Sequence, residues 1–161
     1  MIKNENILIR LPNISDLEDI VSINRISLPE NYSVAHFVEL INSWQDTSCV
    51  ALLDNKVVGY ILMRIVGPGF FTLNKSQKSK GHIISVAVLP DARRKGIGIK
   101  MMKFVMEKAK NIALVNEITL EVRESNYEAR NLYKKLNFID EKVLKQYYSD
   151  GENAILMKLN L

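Results

Sequence analysis

The sequence has few of the residues that could cross-link a fold or bind a metal. It contains one cysteine and two histidines among 161 residues. An internal disulfide is therefore impossible, and no cysteine or histidine cluster has the spacing of a structural zinc site. Cys49 lies in an apolar run, which predicts a buried core residue. We expect no metal site.

Long apolar runs are also lacking. No stretch approaches the roughly 18 apolar residues that cross a bilayer, and the N-terminus lacks the basic, apolar and small-residue order of a signal peptide. We therefore expect a cytoplasmic protein. With 161 residues, 47% of them apolar and 25% charged, the sequence predicts a single globular domain over residues 1–161.

The excess of positive charge is modest, a formal +4. It could attract nucleic acid, an acidic membrane surface or a small polyanionic ligand, and by itself it does not choose among them. Lys75, Lys78 and Lys80 lie in the polar segment 74–81, which is predicted to be an exposed loop. The sequence has neither an aromatic-rich basic strand nor helix-turn-helix spacing, which disfavours nucleic-acid binding.

Apolar periodicity and turn residues predict eleven elements in the order β-α-α-β-β-β-α-β-α-β-β. Strands are predicted at 7–10, 49–53, 57–66, 83–89, 117–122, 138–146 and 154–159, and helices at 15–24, 33–43, 98–111 and 125–136. Capping boxes are predicted at Ser15 with Glu18 and at Ser125 with Glu128, and Ser33 is a predicted cap. The order indicates an α/β fold with a mixed central sheet of about seven strands and four helices.

The turn after the 83–89 strand combines glycines with positive charge. Gly96 and Gly98 let backbone N–H groups at a helix N-terminus point at one anion. The neighbouring Arg93, Arg94 and Lys95 add positive charge suited to phosphate. The alternative is that these residues are a solvent-exposed basic segment at the start of a helix. A P-loop and a dinucleotide fingerprint both fit poorly, because the residues they require are missing.

Several blocks resemble the GNAT acetyltransferases. The run Arg93-Arg94-Lys95-Gly96-Ile97-Gly98 is similar to that family's Gln/Arg-x-x-Gly-x-Gly/Ala signature, and residues 85–88, 120–129 and 133–138 resemble its other blocks in the same order. The resemblance covers almost the whole chain. Asn137 replaces the glycine that usually precedes the phenylalanine, and asparagine also tolerates a left-handed helix cap.

The resemblance implies that acetyl-CoA is the acyl donor. It implies that one strand pairs with the pantetheine arm and that the 94–99 turn binds the pyrophosphate. The implied cofactor-binding residues are Val86, Ala87, Val88, Arg93, Arg94, Lys95, Gly96, Ile97, Gly98, Ile99, Asn126 and Tyr133.

Tyr133 and Asn126 are the candidates on the last helix. They are seven residues apart, so both lie on one stripe of it. The resemblance implies that Tyr133 is the general acid for the departing thiolate and that Asn126 helps to hold the cofactor. A core tyrosine facing Ala129, Leu132 and Leu136 is the alternative.

His82 and Glu121 are polar residues in otherwise apolar strands. A buried carboxylate is costly unless it is paired. Together they could relay a proton from the incoming ammonium through ordered water. A structural histidine–glutamate pair is the alternative, and two ligands are too few to predict a metal.

Two loop segments suggest the acceptor. Leu28-Pro29-Glu30-Asn31-Tyr32 and residues 145–151 resemble segments of archaeal protein N-α-acetyltransferases, where they wall the slot for the acceptor peptide. The resemblance implies that Tyr32, Tyr147 and Tyr148 bind the peptide, while Glu30 shapes the pocket or handles a proton. Packing of tyrosines on turns is the alternative.

The implied function is acetyl transfer from acetyl-CoA to the α-amino group of protein or peptide N-termini. A narrow slot admits an extended chain end but hinders a lysine on a folded surface. The ribosome or an auxiliary subunit is a candidate partner. Acetylation of lysine side chains or of a small-molecule amine is the nearest alternative, and a CoA-binding regulatory module without turnover is another.

Overall fold

The computed structural model describes residues 6–67, 79–112 and 115–161. Its strands are β1 (Ile7–Arg10), β2 (Cys49–Leu53), β3 (Lys56–Val66), β4 (Lys80–Val88), β5 (Glu117–Arg123), β6 (Ile139–Leu144) and β7 (Ala154–Asn160). Its helices are α1 (Leu17–Ser27), α2 (Val34–Trp44), α3 (Ile97–Ile112) and α4 (Tyr127–Lys135). The predicted element order and fold class are confirmed.

The seven strands form one sheet in the order β1-β2-β3-β4-β5-β7-β6. Within the described residues, β4 and β5 are the one parallel pair, and α3 crosses between them. The β2–β3 hairpin turns through Asp54 and Asn55, whose φ angles of 49° and 67° are those of a type I′ turn. None of the described helices combines the length and the apolar character that a bilayer crossing needs.

Two apolar cores lie on opposite faces of the sheet. On one face, α3 and α4 pack on the strands through residues such as Met101, Val105 and Leu136. On the other face, α1 and α2 contribute Ile20, Phe37 and other apolar residues. Cys49 is fully buried, as predicted. Both faces of the central strands are therefore covered, which explains their nearly continuous apolar sequence.

A β-bulge interrupts β4 at Ile84. Leu62 of β3 pairs with Ser85 and Met63 pairs with Ile83, so Ile84 is the extra residue. The bulge reverses which face each later side chain occupies: Ile83 belongs to the α3–α4 core, whereas Ala87 belongs to the α1–α2 core. Regular alternation would place both on one face. The bulge lies where β4 separates from β5.

Two of the predicted helix caps are wrong. Asn13 and Asp16 form a capping box on a short 3-10 turn before α1, and α4 is capped by Asn126, which accepts from the Ala129 N–H at 3.1 Å. In both cases a polar residue close to the predicted one can also cap the helix, and the path of the backbone determines which of the two does so. The Ser33 cap of α2 is confirmed.

The predicted loop at 74–81 is wrong at its end, because Lys80 and Gly81 belong to β4. Lys80 is paired with Glu117 across the parallel strands at 2.9 Å. Residues 74–78, which include Lys75 and Lys78, lie outside the described residues.

Candidate active site

The centre of the site is a gap between the two parallel strands. β4 and β5 pair from Lys80 with Glu117 to Ile83 with Leu120 and no further. Beyond that point β4 continues beside β3 as far as Val88, while β5 continues beside β7 as far as Arg123. The sheet therefore has an unpaired internal edge directly after the bulge.

The hydrogen-bond alternation shows which backbone groups line the gap. Leu89 donates to the Val58 carbonyl at 2.8 Å. In an antiparallel pair every second residue faces the partner, so Ala87 also turns its backbone groups toward β3. Val86 and Val88 turn theirs toward the gap. An extended molecule with its own amide groups could pair with them.

The glycine turn lies at the end of this edge. Gly96 has φ +76°, and apart from its two chain neighbours no described atom lies within 4 Å of a Cβ built there, so the backbone is open to a ligand. Gly98 has a different role, because a Cβ there would meet Leu132 of α4 at 3.0 Å. Ile97 begins α3 and is buried, so Ile97 and the partly buried Ile99 can offer only backbone N–H groups to an anion.

The three basic side chains of the turn differ in their surroundings. Arg93 folds back, and its Nε donates to the Val88 carbonyl at 3.1 Å. The Arg94 side chain is 86% exposed and lies 4.0 Å from Glu128. Lys95 has an interaction within the protein. Arg94, whose backbone has φ 64°, thus presents a largely exposed side chain at the turn.

Tyr133 and Asn126 lie on the α3–α4 side of the sheet. The Tyr133 side chain belongs to that core, where Val86 and Val88 also pack, and the residue is 6% exposed. Burial raises the pKa of its phenol. The Asn126 side-chain oxygen caps α4, so any contact of Asn126 with a cofactor would have to come from its amide NH₂.

His82 and Glu121 lie on the opposite face of the sheet. The side chains alternate with Ile83 and Leu120 of the α3–α4 core, and the His82 Nε2 lies 2.7 Å from the Glu121 Oε2. Both side chains are about one-fifth exposed, at 23% and 19%. Arg64 of β3 approaches the His82 Nδ1 at 3.4 Å. Among the described residues, no group of three or more His, Cys, Asp or Glu side chains could hold a metal ion.

Arg123 is a site residue that the sequence analysis missed. It lies at the end of β5 and donates to Glu30 in the α1–α2 loop through Nε at 3.0 Å and through Nη2. Its Nη1 donates to Asp150 at 2.8 Å and to Glu152 at 2.6 Å in the β6–β7 loop. Burial alone would lower the pKa of Arg123, but these hydrogen bonds raise it. The two loops of the candidate slot are therefore tied together.

Of the three loop tyrosines, Tyr148 contacts this arginine directly. The Tyr148 ring lies 4.1 Å from the Arg123 guanidinium carbon and packs edge-on against Tyr147 at 5.1 Å. Tyr32 donates to the Ile84 carbonyl at the bulge, at 3.4 Å. Burial, followed by the nearby charges of Glu30 and Glu121, raises the pKa of Tyr32, and burial together with Glu121 and Tyr32 raises that of Tyr147. The loop residues implied by the resemblance thus lie together, close to Glu121.

Comparison with known proteins identifies the family. The model of the acetyltransferase (GNAT) family matches residues 17–138. The chain belongs to this family. The parallel strands that separate and the glycine turn beside them are both within the matched region.

Individual relatives point to a narrower group than the family model does. An N-alpha-acetyltransferase of Saccharolobus solfataricus is 46% identical over 157 residues, which cover 96% of this chain and 93% of the relative. The crystal structure of Ard1 from Thermoplasma volcanium has a TM-score of 0.82 at 29% identity and covers 96% of this chain and 97% of that one. A crystal structure of the NatC complex bound to Gag peptide and CoA has a TM-score of 0.87 at 25% identity, covering 97% and 99%.

Proposed function

We propose that this chain is an acetyl-CoA-dependent protein N-terminal acetyltransferase. It transfers the acetyl group of acetyl-CoA to the α-amino group of protein or peptide N-termini by direct attack of the amine on the thioester. The observation that carries the proposal is the gap between β4 and β5, which has a glycine turn at its end and the tyrosine-bearing loops beside it. We further propose that residues 1–161 act as a single catalytic domain.

The residues present fit acetyl-CoA as the substrate. The backbone of Val86 and the N–H of Val88, whose carbonyl already accepts from Arg93, offer hydrogen-bonding groups to the amides of the pantetheine arm. Gly96 leaves its side of the turn open, and the first N–H groups of α3 have no intrahelical partner, which suits a diphosphate. The thioester of acetyl-CoA supplies the activated acyl group.

The acid candidate and the base candidates lie on opposite faces of the sheet. The gap between β4 and β5 is the opening that connects these two faces. Tyr133 is on the α3–α4 face. His82 and Glu121 are on the other face, with the acceptor loops, as we call the α1–α2 loop (residues 28–33) and the β6–β7 loop (residues 145–153). A thioester carbonyl held in the gap would be open to an amine from one side, with Tyr133 on the other. This arrangement separates the incoming nucleophile from the proton donor of the leaving group.

The proton transfers balance with these groups. The His82–Glu121 pair takes one proton from the α-ammonium, and the neutral amine attacks the carbonyl carbon. As the C–S bond breaks, the Tyr133 hydroxyl gives its proton to the thiolate. The amide nitrogen then loses its second proton, which restores the phenol. The products are the acetylated N-terminus, CoA and one proton released to water.

The two loops favour a chain end as acceptor. Arg123 holds Glu30 of one loop and Glu152 of the other, so a substrate between them must fit a slot of fixed width. Tyr32, Tyr147 and Tyr148 offer hydroxyl groups to an extended peptide backbone, and Glu30 serves as a wall of the slot because Arg123 already engages its carboxylate. A lysine side chain on a folded surface is surrounded by other parts of its own protein, and these would not fit into the slot.

Two matched peptides test the proposal. One has a free N-terminus and no lysine, and the other has the same sequence with a blocked N-terminus and one added lysine. We expect release of CoA with the first peptide and little with the second, measured by thiol detection and by mass spectrometry of the product. Transfer to the blocked peptide alone would refute N-terminal acetylation, and no transfer to either, with tight binding of acetyl-CoA, would favour a regulatory module.

We propose that the enzyme acts in the cytoplasm, on N-termini presented by the ribosome or by an auxiliary subunit. One structural neighbour is the NatC complex, which supports a partner of the second kind. Sedimentation of the purified enzyme with ribosomes at low and at physiological salt would test the first. A ribosomal partner predicts enzyme in the ribosome pellet under both conditions.

A further inference from the structure

We propose that Arg64 at Nδ1 and Glu121 at Nε2 together engage both ring nitrogens of His82, and that Glu121, rather than His82, therefore takes the proton from the acceptor ammonium. In this assignment Arg64 and His82 are positioning residues and Glu121 is the catalytic base. The catalytic part of the inference rests on the proposed function, whereas the tautomer does not.

The hydrogen-bonding capacities of a guanidinium and of an ionised carboxylate, which only accepts, lead to the same tautomer of His82. A guanidinium carries only N–H donors and has no acceptor. Because the Arg64 Nη2 lies 3.4 Å from the His82 Nδ1, that ring nitrogen must present its lone pair. The single proton of the neutral ring then lies on Nε2, which donates to the Glu121 Oε2 at 2.7 Å. Both nitrogens of His82 are engaged, and neither can accept a further proton without losing Arg64.

The three side chains form a row across adjacent strands. Arg64 of β3 and His82 of β4 are direct Cα partners, and Glu121 follows on β5 just beyond the last β4–β5 pair, Ile83 with Leu120. Glu121 is thus the member beside the gap. Arg64 is the member farthest from it.

The surroundings of Glu121 agree with this order. Its charge is among the causes, after burial, that raise the pKa of Tyr32 and of Tyr147, and it contributes in the same way at Tyr148. These three tyrosines belong to the acceptor loops. Glu121 therefore faces the bound peptide, while the ring of His82 stands behind it.

The proton step follows from this geometry. One N–H of the α-ammonium passes its proton to the Glu121 carboxylate, directly or through a water, on the oxygen that His82 does not occupy. The amine keeps the electron pair of that N–H bond and becomes the nucleophile. Glu121 is transiently a carboxylic acid and releases its proton to solvent. His82 holds the carboxylate in place and keeps its own protonation state throughout.

Nitrogen NMR of the histidine rings tests the tautomer on the unmodified protein. The chain has only two histidines, so ¹⁵N-labelled histidine gives two sets of ring signals, and His36→Gln assigns them. At pH 8.5 we expect the His82 signals of a neutral ring with its proton on Nε2. In Arg64→Met we expect the proton to stay on Nε2, where Glu121 holds it, while the Nδ1 signal shifts because its hydrogen bond is lost. Arg25→Met, which removes an exposed arginine on α1, should leave both signals unchanged. A ring protonated at Nδ1 in the unmodified protein overturns the proposal.

Kinetics test which group is the base. Glu121→Gln should lower kcat by about 10²-fold or more, the usual scale of general-base catalysis. His82→Gln should stay within roughly ten-fold of the unmodified enzyme, because the amide NH₂ can replace the Nε2–H donor, and His82→Leu should lose more than His82→Gln. If His82→Gln is as slow as Glu121→Gln, then His82 is the base and the proposal fails. If no free-terminus peptide is acetylated while the tautomer is as expected, the proposed function fails and the role of Arg64 stands.

Discussion

At the scale of single residues, burial determines what Tyr133 can contribute. The residue is 6% exposed, and burial raises the pKa of its phenol, so the hydroxyl remains protonated at neutral pH. A raised pKa by itself makes a phenol a weaker proton donor, but burial disfavours the charged form of a neighbouring thiolate as well, so a thiolate formed in the same buried surroundings would still take the proton. The same burial also agrees with the alternative of a core tyrosine, and only the hydroxyl distinguishes the two.

Tyr133→Phe separates these roles, because it removes the hydroxyl and keeps the ring. We expect kcat to fall by about 10²-fold or more, while the Kd for acetyl-CoA, measured by calorimetry, stays within about two-fold. Tyr127→Phe is a matched control, since Tyr127 lies on the same helix and is 69% exposed. A mutant with unchanged kcat would remove Tyr133 from the mechanism and leave it a core residue.

At the scale of the elements, the sequence predicted the strands and helices but not the bulge that opens the sheet. The apolar run at 83–89 correctly indicated a buried strand. The bulge at Ile84 is defined by the register of β4 against β3, and no local pattern specifies that register. The turn at Asp54 and Asn55 was predictable for the opposite reason, because its geometry depends on its own residues.

The acceptor loops show the same limit. Tyr32 and Tyr148 were predicted as site residues from their resemblance to related segments, and the structure places them near Glu121. Arg123 was missed, although it lies in a stretch that resembles the family. Its partner Glu30 is 93 residues away, and a contact between such distant residues exists only once the sheet is assembled.

The glycine turn allows a test in which strain and bulk are separated. Gly96→Ala and Gly96→Trp both place a Cβ at a positive φ, which costs roughly 1–2 kcal/mol in each. Because the space above Gly96 is open, alanine adds little else, whereas the indole would cover the proposed pyrophosphate site. We expect acetyl-CoA binding to be nearly lost in Gly96→Trp and largely kept in Gly96→Ala, as measured by calorimetry. Equal affinities would place the pyrophosphate elsewhere.

At the scale of the whole molecule, the ion cluster around Arg123 links the sheet to both acceptor loops. Glu152 accepts hydrogen bonds from the Ser125 hydroxyl and backbone N–H and from Arg123, and these lower its pKa from 4.5 to about 2. A carboxylate with a lowered pKa in the folded state stabilises the fold above its unfolded pKa and loses that contribution as the pH falls. The window for Glu152 therefore extends from about pH 4.5 down to about pH 2.

Acid unfolding checks this linkage. We expect Glu152→Gln to be less stable than the unmodified protein at pH 7 and to lose less stability between pH 4.5 and pH 2, as followed by urea titrations at each pH. Glu107→Gln removes an exposed carboxylate of α3 and should leave the pH dependence unchanged. Parallel curves for Glu152→Gln and the unmodified protein would contradict the assigned role of Glu152.

The internal edge between β4 and β5 also bears on how a catalytic cycle ends. The Val86 and Val88 backbone would grip the pantetheine arm, and that arm is identical before and after the acetyl group has left. The edge would therefore bind CoA about as firmly as acetyl-CoA. Free CoA would compete with acetyl-CoA for the same edge, and the turnover rate would depend on how fast CoA dissociates from the sheet.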